Sequence, residues 1–121
     1  MLKGDNRMIR NKGGFEYEYY DDLLRIEVTG EIDHHSAAGL RSGIDEVIFE
    51  FRPRILELDL SRVNFMDSSG LGLIMGRYSL MKDQGGEVVV VDPAPMVERV
   101  IDLAGMKRII RVVKTEEADD E

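Results

Sequence analysis

At 121 residues, 13.7 kDa and no cysteine, the chain is sized for one two-layer core, and disulfides and thiolate metal sites are excluded. A hydrophobic fraction of 43% fits a globular protein, and no apolar run reaches the length needed to cross a membrane. The net charge of -8 argues against a nucleic-acid surface, which needs clustered positive charge.

Residues 1–13 carry Lys3, Arg7, Arg10 and Lys12 against Asp5, without the layout of a secretion signal, so a cytoplasmic protein is expected. The division expected is a mobile basic leader over 1–13, the domain over 14–113 and a disordered acidic tail over 114–121. Phe15, Tyr17 and Tyr19 alternate with Glu16 and Glu18. Beyond Asp21-Asp22, Leu24, Ile26 and Val28 alternate again, which predicts a hairpin whose aromatic face packs on helices. Thr29 to His35 reads as a strand-to-helix loop. Asp33 is the expected N-cap of a helix that carries Ala37, Leu40, Ile44, Val47, Ile48 and Phe51 and ends before Pro53. His34 and His35 point in different directions as helix neighbours, and no cysteine or further histidine completes a ligand shell, so no metal is expected.

Ile55 to Leu60 is a predicted strand and Ser61 to Ser69 the loop after it. The helix that follows has Asp67 or Ser68 as N-cap and a core stripe of Leu71, Ile74, Met75, Tyr78 and Met81. Gly72, Gly76 and Ser79 fall together on the side away from that stripe, with Leu73 and Leu80 beside them. A helical glycine costs roughly 1 kcal/mol relative to alanine, so this bare face needs a use. It suits close packing by a second protein, or by another helix of the same domain. Lys82 to Gly86 make a polar turn, and Glu87 to Val91 is a strand buried on both faces. Asp92-Pro93-Ala94-Pro95 opens a third helix with an apolar stripe from Met96 to Ala104. Gly105 stops it, and Ile109 to Val113 is a last short strand. Strands alternating with helices imply a mainly parallel sheet, whose binding sites favour the loops after the strands' carboxyl ends.

Phe65-Met66-Asp67-Ser68-Ser69-Gly70-Leu71-Gly72, followed by Gly76-Arg77-Tyr78, resembles the signature of the anti-sigma factor antagonists of the STAS domain family, most of all those of the sporulation sigma factor F. Thr29-Gly30-Glu31-Ile32-Asp33-His34-His35 and Gly85-Gly86-Glu87-Val88-Val89-Val90 match the same group, so the likeness runs from about Leu24 to Arg111. The fold it implies is α/β. It is a STAS-type layer sandwich, with a mainly parallel four- to five-stranded sheet, an antiparallel N-terminal hairpin and three or more helices.

The resemblance also implies a mechanism. Unmodified protein would bind an anti-sigma factor that is itself a serine kinase using ATP, and force release of the sigma factor. Phosphorylation at Ser68 would end that binding, and a serine phosphatase would restore it. Position in the motif selects Ser68 over the rival acceptor Ser69, which lies in the first helical turn. Asp33, Asp67, Ser69, Gly72, Leu73, Gly76 and Leu80 are the expected partner contacts. A monomer when alone, with no cofactor and no nucleic-acid or membrane partner, completes this reading. Two others stand beside it: an antagonist in a general stress-response pathway, and a structural STAS module of a signalling assembly. An enzyme is not expected. Ser68 lacks the glycine two positions before it that a hydrolase elbow needs, and there is no Walker lysine or Rossmann glycine triplet.

Overall fold

The computed structural model describes residues 10–115. Six strands form one sheet in sequential order: β1 Arg10–Lys12, β2 Phe15–Tyr20, β3 Leu23–Ile32, β4 Ile55–Met66, β5 Glu87–Val91 and β6 Arg111–Val113. β1, β2 and β3 pair antiparallel, and β3 to β6 run parallel. The helices are α1 Ala37–Phe51, α2 Ser68–Asp83 and α3 Pro95–Leu103. A one-turn 3-10 helix at Met106–Arg108 follows the left-handed Gly105. No described helix is long and apolar enough to cross a membrane.

The predicted hairpin turns at Asp21-Asp22, both with positive φ (51° and 65°), the conformation that matches strand twist in a two-residue turn. Its aromatic face meets α1, where Tyr19 stacks on Phe51 at 4.5 Å and Tyr17 lies 6.2 Å from the same ring. Leu24, Ile26 and Val28 are buried with Leu56, Leu58 and Leu60 of β4 and Ile44, Val47 and Ile48 of α1. Val88 to Val91 are all buried, as an inner strand requires.

Four expectations about the elements need correction. Arg10–Lys12, assigned to the leader, add a sixth strand on β2. Lys114 and Thr115, assigned to the tail, are tied down. Thr115 donates from its N–H and hydroxyl to the Asp92 carboxylate at 2.7 and 2.6 Å, and Lys114 pairs with Glu98 at 2.6 Å. The expectations for residues 1–9 and 116–121 lie outside the described residues.

The third correction places the site. The two segments read as loops, Thr29 onward and Ser61 onward, are strand as far as Ile32 and Met66. They pair with each other in parallel, Thr29 with Arg62 and Ile32 with Met66, past the register where β5 stops opposite Asp59. Bulges between Glu27 and Thr29 and between Gly30 and Glu31 bend this two-stranded ribbon, and Gly30 takes the positive φ of 99° there. Backbone groups beyond the edge of β5 are satisfied by each other. The ribbon delivers the ends of β3 and β4 side by side.

The last correction concerns α2. Its buried residues are Gly70, Leu73, Ile74, Arg77 and Met81, while Leu71, Met75, Tyr78 and Leu80 are half-buried against the core. The stripe is thus rotated towards α1, which packs beside α2. Gly70 is where α2 crosses the ribbon: a Cβ there would overlap Met66 Cγ and stand 2.5 Å from its Sδ. Gly70→Ala is therefore expected to lose about 2 kcal/mol through overpacking, read as a lower denaturant midpoint in urea.

Candidate partner surface and phosphorylation site

Ser68 opens α2, and the cap that starts the helix is Asp67. Asp67 is extended (φ -108°, ψ -165°). Its Oδ1 accepts the Ser69 N–H at 2.8 Å and its backbone oxygen accepts the Gly70 N–H at 2.9 Å. Two of the donors a helix start leaves unpaired are thereby satisfied. Ser68 then projects from the first helical position and is exposed, while Ser69, one step on, is half-buried. Asp67→Ala is expected to cost about 1 kcal/mol and to speed hydrogen exchange at the Ser69 and Gly70 amides before any other part of α2.

Asp33 does not cap α1 directly. It closes the turn before it, Oδ1 accepting from the His35 and Ser36 N–H groups at 2.9 and 3.0 Å. Ser36 takes the N-cap position. Its hydroxyl accepts from the Asp33 N–H at 3.0 Å and donates to the Glu31 carbonyl at 2.8 Å. The reason is local: a carboxylate reaching two amides at once is better satisfied here than at the single amide of a helix cap. The Ser36 N–H, and then that of His35, hold the Asp33 carboxyl below its ordinary range. The Asp67 N–H donates to the Ile32 carbonyl at 3.2 Å, so the two turns, one with Asp33 and one with Asp67, are fastened together at the ribbon's end.

The expected contacts divide. Gly72 is exposed, as are the acceptor Ser68 and Ser79 of the glycine side, while Asp33, Asp67, Ser69, Gly76 and Leu80 are half-buried. Space is open beside the Cα of both Gly72 and Gly76, with nothing within 4 Å of an added Cβ. Leu73 is not on that face. It is only 6% exposed and belongs to the core where α1 and α2 meet. The expectation that a neighbouring helix of the domain covers part of α2 thus holds for Leu73, while the glycine side stays bare. Ser68 Oγ has no hydrogen-bond partner among the described residues, and the His34 and His35 rings lie edge to face at 5.7 Å.

Sequence reasoning missed two features. Phe65, two residues before Asp67, is 40% exposed at the end of β4, opposite Glu31. Arg77 is 6% exposed inside the molecule, with Nε 3.0 Å from Asp45 Oδ1 of α1. That contact is off hydrogen-bond alignment and neither atom has another partner, so charge alone holds it. Burial, only partly offset by Asp45, lowers the Arg77 pKa, and the charge of Arg41 adds to the effect. The signal for Arg77 was its place in the series Gly70, Leu73, Arg77, but a charged residue in mid-stripe reads as surface.

The STAS domain family matches residues 15–118. The anti-sigma F factor antagonist of Paenibacillus polymyxa is 39% identical over 101 residues, 84% of this chain and 86% of that protein. The anti-sigma-B factor antagonist of Bacillus subtilis (strain 168) is 33% identical over 89 residues, 74% of this chain and 80% of that one. Among solved structures, the anti-sigma factor antagonist SpoIIAA in its unphosphorylated form aligns with a TM-score of 0.71 at 31% identity, covering 88% of this chain and 93% of that one. The phosphorylated form of Bacillus SpoIIAA aligns with a TM-score of 0.65 at 30% identity, covering 88% and 96%. The chain belongs to the STAS domain family, in the branch that holds the anti-sigma factor antagonists.

Proposed function

We propose that this protein is an anti-sigma factor antagonist switched by a phosphate on Ser68. Unmodified, it binds an anti-sigma factor serine kinase in the cytoplasm and displaces the sigma factor, sigma F of sporulation. The observation that carries this reading is the exposed Ser68 hydroxyl on the first residue of α2, flanked by the Asp67 cap and by the open Gly72–Gly76 side of the same helix. A hydroxyl at that position meets a partner's active site without unfolding anything, and the glycines let the partner's backbone come close. In the transfer, Ser68 Oγ bonds to the γ-phosphorus of ATP, the bond to the ADP oxygen breaks so that ADP departs, and the hydroxyl proton passes to a base of the kinase. The helix N-terminus accepts the new charge locally. A serine phosphatase hydrolyses the ester and restores the binding form. The existence of a phosphorylated SpoIIAA among the similar structures supports the reading.

The test is to mix the protein with the anti-sigma kinase encoded nearest its gene and ATP, and to locate the modified residue by mass spectrometry. One phosphate on Ser68, absent in Ser68→Ala, is the expected result. A phosphate on Ser69, or none on either serine, would overturn it. The likeness to an anti-sigma-B factor antagonist favours a second reading, the same switch in a stress-response pathway. Release of sigma B and not of sigma F from its complex would select that one. A structural STAS module would instead self-associate, which size in solution would show.

A further inference from the structure

Between the N-terminal halves of α1 and α2 runs a groove of about 340 Å³, lined by His34, Ala38, Arg41, Ser69, Gly72 and Leu73. Its walls are small or apolar apart from His34 and Arg41, and Arg41 is exposed and has no ion pair among the described residues. Behind it lie Arg77 and Asp45, and Arg41 is close enough to Arg77 for the two like charges to act on each other. That is unusual on a chain of net charge -8. A cation with no ion pair among the described residues, at the rim of a small-residue groove, is a setting for an anion held by charge and close contact.

We infer that this groove docks an acidic side chain of the protein partner, with Arg41 as its counter-charge. The inference rests on the partner-binding reading above and names the chemistry of the group that enters. Three observations support a protein carboxylate as the occupant. The groove is continuous with the serine surface through Ser69 and Gly72. The open space at Gly72 admits a main-chain segment, not only a small ion. Asp33, Glu31 and Asp67 on the surrounding surface are acids that repel an anion, whereas the groove wall itself holds no carboxylate and carries Arg41 and His34. Arg41 therefore sets the register of the docked partner as well as adding to its affinity.

The experiment measures binding of the full chain and its Arg41→Ala and Arg41→Glu variants to the anti-sigma kinase at several salt concentrations. Arg41 is exposed, so both variants are expected to melt with the unaltered chain. Expected losses are about tenfold for Arg41→Ala and about a hundredfold for Arg41→Glu, with a shallower salt dependence for Arg41→Ala. Unaltered binding by Arg41→Glu, while the parent chain binds, would sink this inference and leave the proposed function standing. Failure of the parent chain to bind would instead remove the proposed function. Normal binding by Arg41→Glu with slowed phosphorylation of Ser68 would also overturn the inference, since Arg41 would then serve the phosphate and not a partner carboxylate.

Discussion

Asp45→Ala is expected to destabilise the fold by about 3 kcal/mol and to lower its melting temperature by roughly 10 °C. The Arg77 side chain keeps 7% of its surface in water, while that of Asp45 keeps 27%. Removing Asp45 leaves a guanidinium inside the molecule with only a weak 3.4 Å bond from Nη1 to the Leu73 carbonyl. Removing Arg77 leaves a carboxylate whose side chain is partly in water, although the Oδ1 that faced Arg77 is buried. Arg77→Met, close in shape and free of charge, should therefore cost clearly less than Asp45→Ala, although both break the same pair. Thermal unfolding of the two variants checks the order. Equal losses would mean that the pair contributes through packing alone. Because the pair joins α1 to α2, Asp45→Ala should also loosen the groove that Arg41 borders.

Ser68→Asp is expected to weaken binding to the anti-sigma kinase by about two orders of magnitude, equivalent to ~3 kcal/mol, while leaving stability nearly unchanged. The two effects separate because the charge sits differently in the two states. In the free protein it stands exposed at the first residue of α2, where the helix dipole favours an anion and water screens it from Asp67. In the complex it would be stripped of water beside Asp67 and the partner, a desolvation cost that the helix dipole offsets only in part. Ser68→Ala, in contrast, should bind as the unmodified chain does and remain active in the presence of ATP. Titration calorimetry with purified kinase gives both numbers. Sigma factor release by Ser68→Asp equal to that of the parent would count against the switch.

Much of this molecule is legible in its sequence. Alternation with a period of two placed β2, the first part of β3 and the first part of β4, because a half-buried strand keeps that pattern in any context. Side-chain chemistry acting over three residues places the start of the next helix and narrows its cap to Asp67 or Ser68, of which the structure selects Asp67. Both turns that carry the candidate site, one with Asp33 and one with Asp67, were recognised by the same local rules, although Asp33 proved to act one turn earlier than read.

Tertiary structure decided what depends on neighbours distant in the chain. Thr29–Ile32 and Arg62–Met66 carry loop-like residues and become strand because each is the other's hydrogen-bonding partner beyond the end of β5. Arg77 lies inside because Asp45 of α1 meets it there, and this rotates the buried stripe of α2 and takes Leu73 out of the exposed face. Local periodicity carries no information on either pairing, since it reports which residues share a side of one element and not which element comes to cover that side. The same limit hid the groove at Arg41, which exists only where two helices from separate crossovers lie together over the sheet.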